Sequence, residues 1–221
     1  MAGNDARRLV TALLLSVSCC AAAAPDAARI FADKIADRYG AAGFPKVESI
    51  HFNFHVMHAG KEKIREWTWF PKSDSVAYRG EDAKGLTLTA AYSRRNQYSM
   101  ASETIAGIDK SFVNDQYWFL FPLHLRWDKD ISLSLAPGGP LSVSYPKQGG
   151  YTPGDMYELM AAEDGTITKW MFHRSGADTV TMQAEWAPPK TVDGLPVSLD
   201  RPGKNGFKVW FTAVKVAGLK P

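Results

Sequence analysis

The segment at residues 112–122, FVNDQYWFLFP, constrains the fold more than any other part of the chain. It sets five aromatic side chains on a short run able to form a helix, within a sequence otherwise patterned as strands. Those rings must be buried against an apolar surface, either the core of a sheet or a ligand held between helix and sheet. The second option is our functional hypothesis, since the segment carries little that is suited to catalysis.

The first 23 residues predict an export signal. Arg7 and Arg8 supply positive charge, residues 9–17 are mainly apolar, and residues 21–24 are alanines small enough for signal-peptidase cleavage. The apolar run is too short to span a membrane. We therefore predict a signal peptide over residues 1–23 and an exported mature protein located in the periplasm.

The two cysteines of the chain leave open the alternative that the protein is anchored in the envelope as a lipoprotein. Cys20 stands where a lipidated cysteine could serve as an anchor, although Cys19 replaces the small residue that usually precedes it. If the signal is removed instead, residues 24–221 hold no cysteine, and we expect them to form one domain without disulfide or thiol chemistry. The formal net charge of +3 is spread along the chain, which predicts no nucleic acid partner.

Hydrophobic periodicity predicts one clear helix followed by many strands. Residues 26–39 carry apolar side chains on one helical face, with Asp26 at the start and Gly40 at the stop. From residue 49 onward the period changes to two, with hairpin signals such as the Asp-Gly pair at residues 164–165. The predicted fold is α+β, with a curved antiparallel sheet of roughly ten strands, an N-terminal helix and a short aromatic helix.

Three histidines, His51, His55 and His58, form the densest group of metal-ligand side chains. On a helix they would share one face and suit zinc. The apolar alternation of residues 52–56 predicts a strand instead, which places His51 and His55 on one face and His58 on the other. We therefore expect a solvated strand face rather than a metal site, and we expect no cofactor.

Aromatic side chains elsewhere in the chain are candidates to line a ligand site together with residues 112–122. Tyr and Trp suit such a lining because they add hydrogen-bonding tips to apolar rings, and an ordinary aromatic core is the alternative. The acidic head group of a ligand could meet Arg79, Arg126 or His173. The candidate ligand-binding residues are Trp67, Trp69, Tyr78, Tyr117, Trp118, Phe121, Trp170 and Trp210.

Three stretches of the chain resemble the lipoprotein-carrier superfamily that includes LolA, LolB and mycobacterial lipid-carrying lipoproteins. They are WTWFP at residues 67–71, FVNDQYWFLFP at residues 112–122 and DGLPVSL at residues 193–199, and they are similar to a branch found among envelope proteins. The resemblance implies a curved antiparallel half-barrel whose concave apolar face is closed by helices, with the aromatic helix as a lid. Such a shape would keep acyl chains away from water.

We expect an envelope protein without enzymatic activity that binds or carries a lipid or another hydrophobic ligand between the curved sheet and the helices. A membrane or a lipoprotein partner would follow from that role. The first alternative is a small hydrolase that uses His124, His173 or a carboxylate pair in the same cleft. The second is a docking module whose apolar concavity receives a segment of another envelope protein.

Overall fold

The computed structural model describes residues 26–82, 84–149, 151 and 153–219. The predicted signal peptide at residues 1–23, with Cys20, lies outside the described residues. Within these ranges the chain forms three α-helices and thirteen strands. The helices are α1 (Ala27–Arg38), α2 (Gln97–Met100) and α3 (Glu103–Trp127). The strands are β1 (Ser49–His58), β2 (Lys61–Phe70), β3 (Ser75–Glu81), β4 (Thr87–Ser93), β5 (Ser132–Leu135), β6 (Leu141–Ser144), β7 (Met156–Ala161), β8 (Ile167–His173), β9 (Met182–Glu185), β10 (Lys190–Val192), β11 (Leu195–Val197), β12 (Asp200–Pro202) and β13 (Lys208–Ala217).

Two large antiparallel sheets and one small hairpin contain these strands. The first sheet has six strands in the order β12-β13-β1-β2-β3-β4, the second has five in the order β5-β6-β7-β8-β9, and β10 pairs with β11. The edge strands β9 and β12 meet next to a bridge between Ala184 and Gly203. The two large sheets therefore curve around a common interior and stay open at β4 and β5. The predicted α+β class with a curved antiparallel sheet is confirmed, with more strands than expected.

A glycine is needed where the two large sheets meet. A Cβ atom on Gly203 would lie 2.5 Å from Cδ1 of Phe207 and 3.2 Å from the carbonyl oxygen of Gln183. The Gly203 amide also donates a hydrogen bond to the Phe207 carbonyl at 2.8 Å, which holds the turn close to β13. A larger residue here would displace the Phe207 ring and would press against the carbonyl oxygens of Phe207 and Gln183.

Helix α1 forms as the sequence predicts. Asp26 caps its N-terminus by accepting a hydrogen bond from the Arg29 amide at 2.7 Å, and Gly40 follows its end with a φ of +85°. Its buried face, which includes Ile35, packs on α3 and on the edge of the five-stranded sheet. The Arg29 guanidinium donates to the carbonyl of Leu125 at 2.7 Å. Helix α1 is thereby tied to the C-terminal turns of α3.

Helix α3 lies inside the curve of the two sheets. It is 25 residues long, so it extends well beyond the short aromatic segment from which it was predicted. Phe112 and Phe119 contact rings of the six-stranded sheet, while Trp118 and Phe121 contact rings of the five-stranded sheet. The helix therefore presents an aromatic face to each sheet rather than covering one as a lid. Among the described helices, none has the length and apolar character needed to cross a bilayer.

Candidate ligand-binding cavity

Interlocking aromatic rings pack the space between α3 and the six-stranded sheet, and a smaller cleft of about 370 Å³ beside them is lined mainly by charged and polar side chains, including Arg65 and Ser111. Phe119 stacks on Phe52 with ring centroids 4.7 Å apart, and Phe112 meets the edge of Trp67 at 5.4 Å. Trp67 is fully buried, and Trp69 and Tyr78 are nearly so. Three of the predicted ligand-binding residues, Trp67, Trp69 and Tyr78, therefore belong to this packed core, and the cavity described below does not include them.

A buried ion pair fixes the helix on this packed side. Both oxygens of the Asp115 carboxylate accept hydrogen bonds from the Arg65 guanidinium at 2.6 Å, and the Trp67 indole donates to Oδ2 at 2.8 Å. Two parallel bonds to one guanidinium define both distance and orientation. The register of α3 against β2 is therefore set by polar contacts as well as by ring packing.

The opposite face of α3 borders a cavity of about 510 Å³. This volume lies in the range of roughly 300–1,000 Å³ that is usual for sites of small ligands. Five cavity residues of the helix lie on one face, where each has another of the five three or four positions away. They are Lys110, Asn114, Tyr117, Trp118 and Phe121.

The rest of the cavity wall comes from strands β7, β8 and β9, from the residue after β9 and from two loops. The strands and Trp186 supply mainly rings, and the loops supply most of the polar groups. The sheet-side residues are Tyr157, Trp170, Phe172, Met182 and Trp186, and the loop residues are Tyr151, Pro153, Asp155, Arg174 and Ser175. Mostly apolar walls with a few polar groups are typical of small-ligand sites.

Pro122 shapes the helix where it passes the cavity. Proline has no amide hydrogen to donate to the carbonyl four residues earlier, and its ring crowds that carbonyl. Leu120 accordingly leaves helical geometry, with φ −119° and ψ 20°, and the freed carbonyl of Trp118 accepts a hydrogen bond from the Arg201 guanidinium at 3.3 Å. The Trp118 ring packs on Trp170 with centroids 4.4 Å apart. The sequence therefore bends α3 at Leu120, between the cavity residues Trp118 and Phe121.

A network centred on Asp128 holds the helical wall at Tyr117. The Asp128 carboxylate accepts hydrogen bonds from the hydroxyl groups of Tyr117 at 2.7 Å and Tyr145 at 2.9 Å, and it contacts Nδ1 of His124 at 3.1 Å. Burial alone would raise the pKa of Asp128, but the bonds from His124 and the two tyrosines lower it below its usual value. The ionised carboxylate is therefore a stable anchor for the ring of Tyr117.

The two histidines proposed for a hydrolase are both occupied by protein groups. His124 contacts Gln116 through Nε2 at 2.9 Å, in addition to Asp128 through Nδ1. His173 contacts the carbonyl of Ala177 through Nδ1 at 2.8 Å and the carboxylate of Glu158 through Nε2 at 3.1 Å. Both side chains are buried, so neither offers a free ring nitrogen to a molecule in the cavity.

His51, His55 and Trp210 lie on the outer face of the six-stranded sheet, whereas His58 takes the other face and contacts the ring of Phe207. His55 stacks on Trp210 with centroids 4.9 Å apart and contacts Glu62 and Thr212. Trp210, the remaining member of the predicted set outside the cavity, thus faces away from the interior. In the described part of the chain, no group of three or more His, Cys, Asp and Glu side chains is arranged to hold a metal ion.

The structure brings together four of the predicted ligand-binding residues at the cavity wall, namely Tyr117, Trp118, Phe121 and Trp170. Their role in binding stays a prediction. Of the predicted head-group partners, Arg126 pairs with Asp37 at 2.7 Å outside the cavity, and His173 is occupied as described.

Sequence reasoning missed the two cationic lining residues, Lys110 and Arg174. A signal for Lys110 exists, because it lies eight positions before Trp118, and residues four and eight positions apart share a helical face. Arg174 directly follows β8 and carries no comparable signal, since its position depends on how the loop folds back.

The chain is similar to two solved structures at low sequence identity. No family model matches the chain, and no curated protein matches it. A solved structure of a DUF1329 family protein from Desulfovibrio piger aligns over 87% of this chain and 94% of its own, at 10% identity and a TM-score of 0.43. A domain from Vibrio parahaemolyticus assigned to the outer membrane lipoprotein-sorting proteins aligns over 87% and 93%, at 12% identity and a TM-score of 0.41. At these values the function proposed below depends on the cavity and not on either neighbour.

Proposed function

We propose that this protein is an exported envelope protein that binds an acyl chain, or a ligand of similar hydrophobic character, in the cavity between α3 and the five-stranded sheet. The observation that carries the proposal is the contrast between a filled aromatic core on one face of α3 and an open space of about 510 Å³ on the other. Each methylene group moved from water into such a space contributes about 0.8 kcal/mol. An aromatic wall is therefore sufficient for affinity.

Binding without catalysis agrees with the polar groups near the cavity. The hydrogen bonds of His124 and His173 are made to protein atoms, and the carboxylate of Asp128 is engaged by two tyrosines. A carrier must also pass its ligand to an acceptor, which would be a membrane or a lipoprotein. The export signal predicted over residues 1–23 would bring the protein to the cell envelope, where such acceptors are found.

Native mass spectrometry of the purified protein tests the proposal directly. We expect a population that carries a lipid-sized adduct, which collisional activation removes. After delipidation, decanol should bind and change the tryptophan emission, because Trp118, Trp170 and Trp186 line the cavity. A protein that shows no adduct and no response to decanol would contradict the proposal.

Two tryptophan substitutions form a matched pair for the same assay. Trp118→Ala removes a ring from the cavity wall and should weaken decanol binding by about tenfold, which corresponds to about 1.4 kcal/mol. Trp210→Ala removes a ring of equal size from the outer face and should leave the affinity as it is in the wild type. Equal losses of affinity in the two variants would place the ligand elsewhere.

A further inference from the structure

Two cations stand at the opening of the cavity without an acidic partner. Lys110 lies on α3 and Arg174 lies directly after β8; both are exposed, and both line the cavity. In the part of the chain that the structure describes, neither side chain forms an ion pair, whereas the exposed Arg126 and Arg38 each pair with an aspartate. The charges of Lys110 and Arg174 are therefore available to a ligand.

The acidic groups near the opening are committed to other contacts. Asp155, which also lines the cavity, is buried and accepts a hydrogen bond from the Ser175 amide at 2.8 Å. Asp109 accepts from the Arg94 guanidinium at 2.8 Å and from the Tyr151 hydroxyl at 2.9 Å. Arg94 largely compensates the charge of Asp109, which is not a lining residue. Asp155 is the one carboxylate among the lining residues, and it alone opposes the two cations there.

A third cation lies behind the aromatic wall. Arg201 is fully buried, and its guanidinium lies 3.4 Å from the ring centroid of Trp186, which lines the cavity. Its neighbour Asp200 pairs with Lys208 at 3.0 Å, and no ion pair joins Arg201 to a carboxylate within the described ranges. Burial lowers the pKa of Arg201 to about 9, which leaves the group protonated at neutral pH. Asp200 offsets part of this charge through its electrostatic interaction with Arg201, and the remainder adds positive potential to the cavity, because a low dielectric screens it weakly.

We propose that the ligand of this cavity is a single-chain amphiphile with an anionic end group, a carboxylate or a phosphate monoester, held between Lys110 and Arg174. The chain then lies along Trp118, Phe121 and Trp170, and the head group stays at the opening in contact with water. This inference rests on the proposed function, because it names the chemical class of the ligand for the same cavity. Arg201 adds attraction for the anion through the wall and does not touch it.

Four probes with the same ten-carbon chain separate the head group from the chain: decanoate, decyl phosphate, decanol and decyltrimethylammonium. We expect the two anions to bind at least about tenfold more tightly than decanol at low ionic strength and the cation to bind most weakly. Added salt should reduce the advantage of the anions, since the opening is exposed to solvent. The ratio between decanoate and decyl phosphate then distinguishes a fatty acid from a lipid phosphate as the source of the anion.

A double variant, Lys110→Met with Arg174→Met, should reduce the preference for decanoate over decanol to about twofold or less. The control is Lys61→Met with Lys215→Met, which removes the same charge from exposed positions on the six-stranded sheet and should keep the preference. Equal affinities of decanoate and decanol in the wild type would contradict the proposal of an anionic head group but not the proposal of a hydrophobic ligand site. Failure of all four probes to bind would overturn the proposed function itself.

Discussion

The two faces of helix α3 carry similar aromatic side chains but meet their sheets differently. On the side of the six-stranded sheet, Phe112 and Phe119 interlock with Trp67 and Phe52 and fill the interior. On the side of the five-stranded sheet, the rings line a cavity of about 510 Å³ instead. Aromatic content is therefore a poor guide to whether an interior is filled, because rings of equal size build a core or a wall according to the spacing between the elements that carry them.

The spacing on each side of α3 is set by different contacts. On the packed side the Asp115–Arg65 pair draws the helix onto β2. Where the two sheets meet, the helix is bent at Leu120, and its carbonyl at Trp118 is held by Arg201 of β12. The difference teaches that a few polar contacts decide where a helix between two sheets packs closely and where it leaves room.

Removing a ring from the packed side should have the largest effect on stability. Trp67→Ala deletes a fully buried indole and takes a hydrogen-bond donor from Asp115, so we expect a loss of roughly 3–5 kcal/mol in the free energy of unfolding. Urea denaturation measures this loss. Trp67→Phe keeps most of the packing and should cost clearly less. If Trp67→Ala cost no more than Trp118→Ala, the contrast between the two faces would be lost.

The Asp128 network should stabilise the wall at Tyr117 in a pH-dependent way. Asp128→Asn replaces a charged acceptor of three bonds, and we expect a loss of about 1.5–3 kcal/mol at neutral pH. The pKa of Asp128 is lower in the folded protein than its usual value of 3.8, so its contribution is full above pH 3.8 and disappears as the pH falls through the lowered value. The difference between wild type and variant should therefore shrink below pH 3.8.

Denaturation curves collected at a series of pH values measure this dependence. Asp130→Asn is the matched control, since Asp130 is exposed and two residues away. The control should differ little from the wild type at any pH. A loss in Asp128→Asn that stayed constant into strong acid would show that the side chain acts through its shape and not through its charge.

Enlarging a side chain on each side of α3 should distinguish the filled side from the cavity side, with the smallest effects on stability of the three comparisons. Val76→Trp inserts a large ring into the filled side, where overpacking costs typically about 1–3 kcal/mol. Met182→Trp inserts the same ring into the cavity wall on β9, where space is present, and should change stability by less than about 0.5 kcal/mol while weakening decanol binding. Thermal denaturation and the tryptophan emission assay report both effects. Equal destabilisation by the two variants would mean that the cavity is not an open space in solution.

The local signals in the sequence predicted much of the fold. Asp26 and Gly40 mark the two ends of α1, because a cap and a left-handed residue act within one turn of chain. The Asp-Gly pair at residues 164–165 likewise turns between β7 and β8, and Gly165 has a φ of +85°. The length of α3 was not predicted. Its cap at Ser102 lies ten residues before the aromatic segment, and the residues between them include no aromatic side chain that would mark them as part of the same helix.

The sequence alone determined that an aromatic helix would pack against antiparallel strands, because rings at residues 112–122 must leave water and alternating residues form sheets. It did not determine which rings would line a space. Trp67 and Trp118 look alike in the sequence, yet one is locked in the core and the other lines the cavity. That outcome depends on contacts between residues far apart in the chain, such as Arg65 with Asp115 and Arg201 with Trp118, and only the tertiary structure brings those partners together.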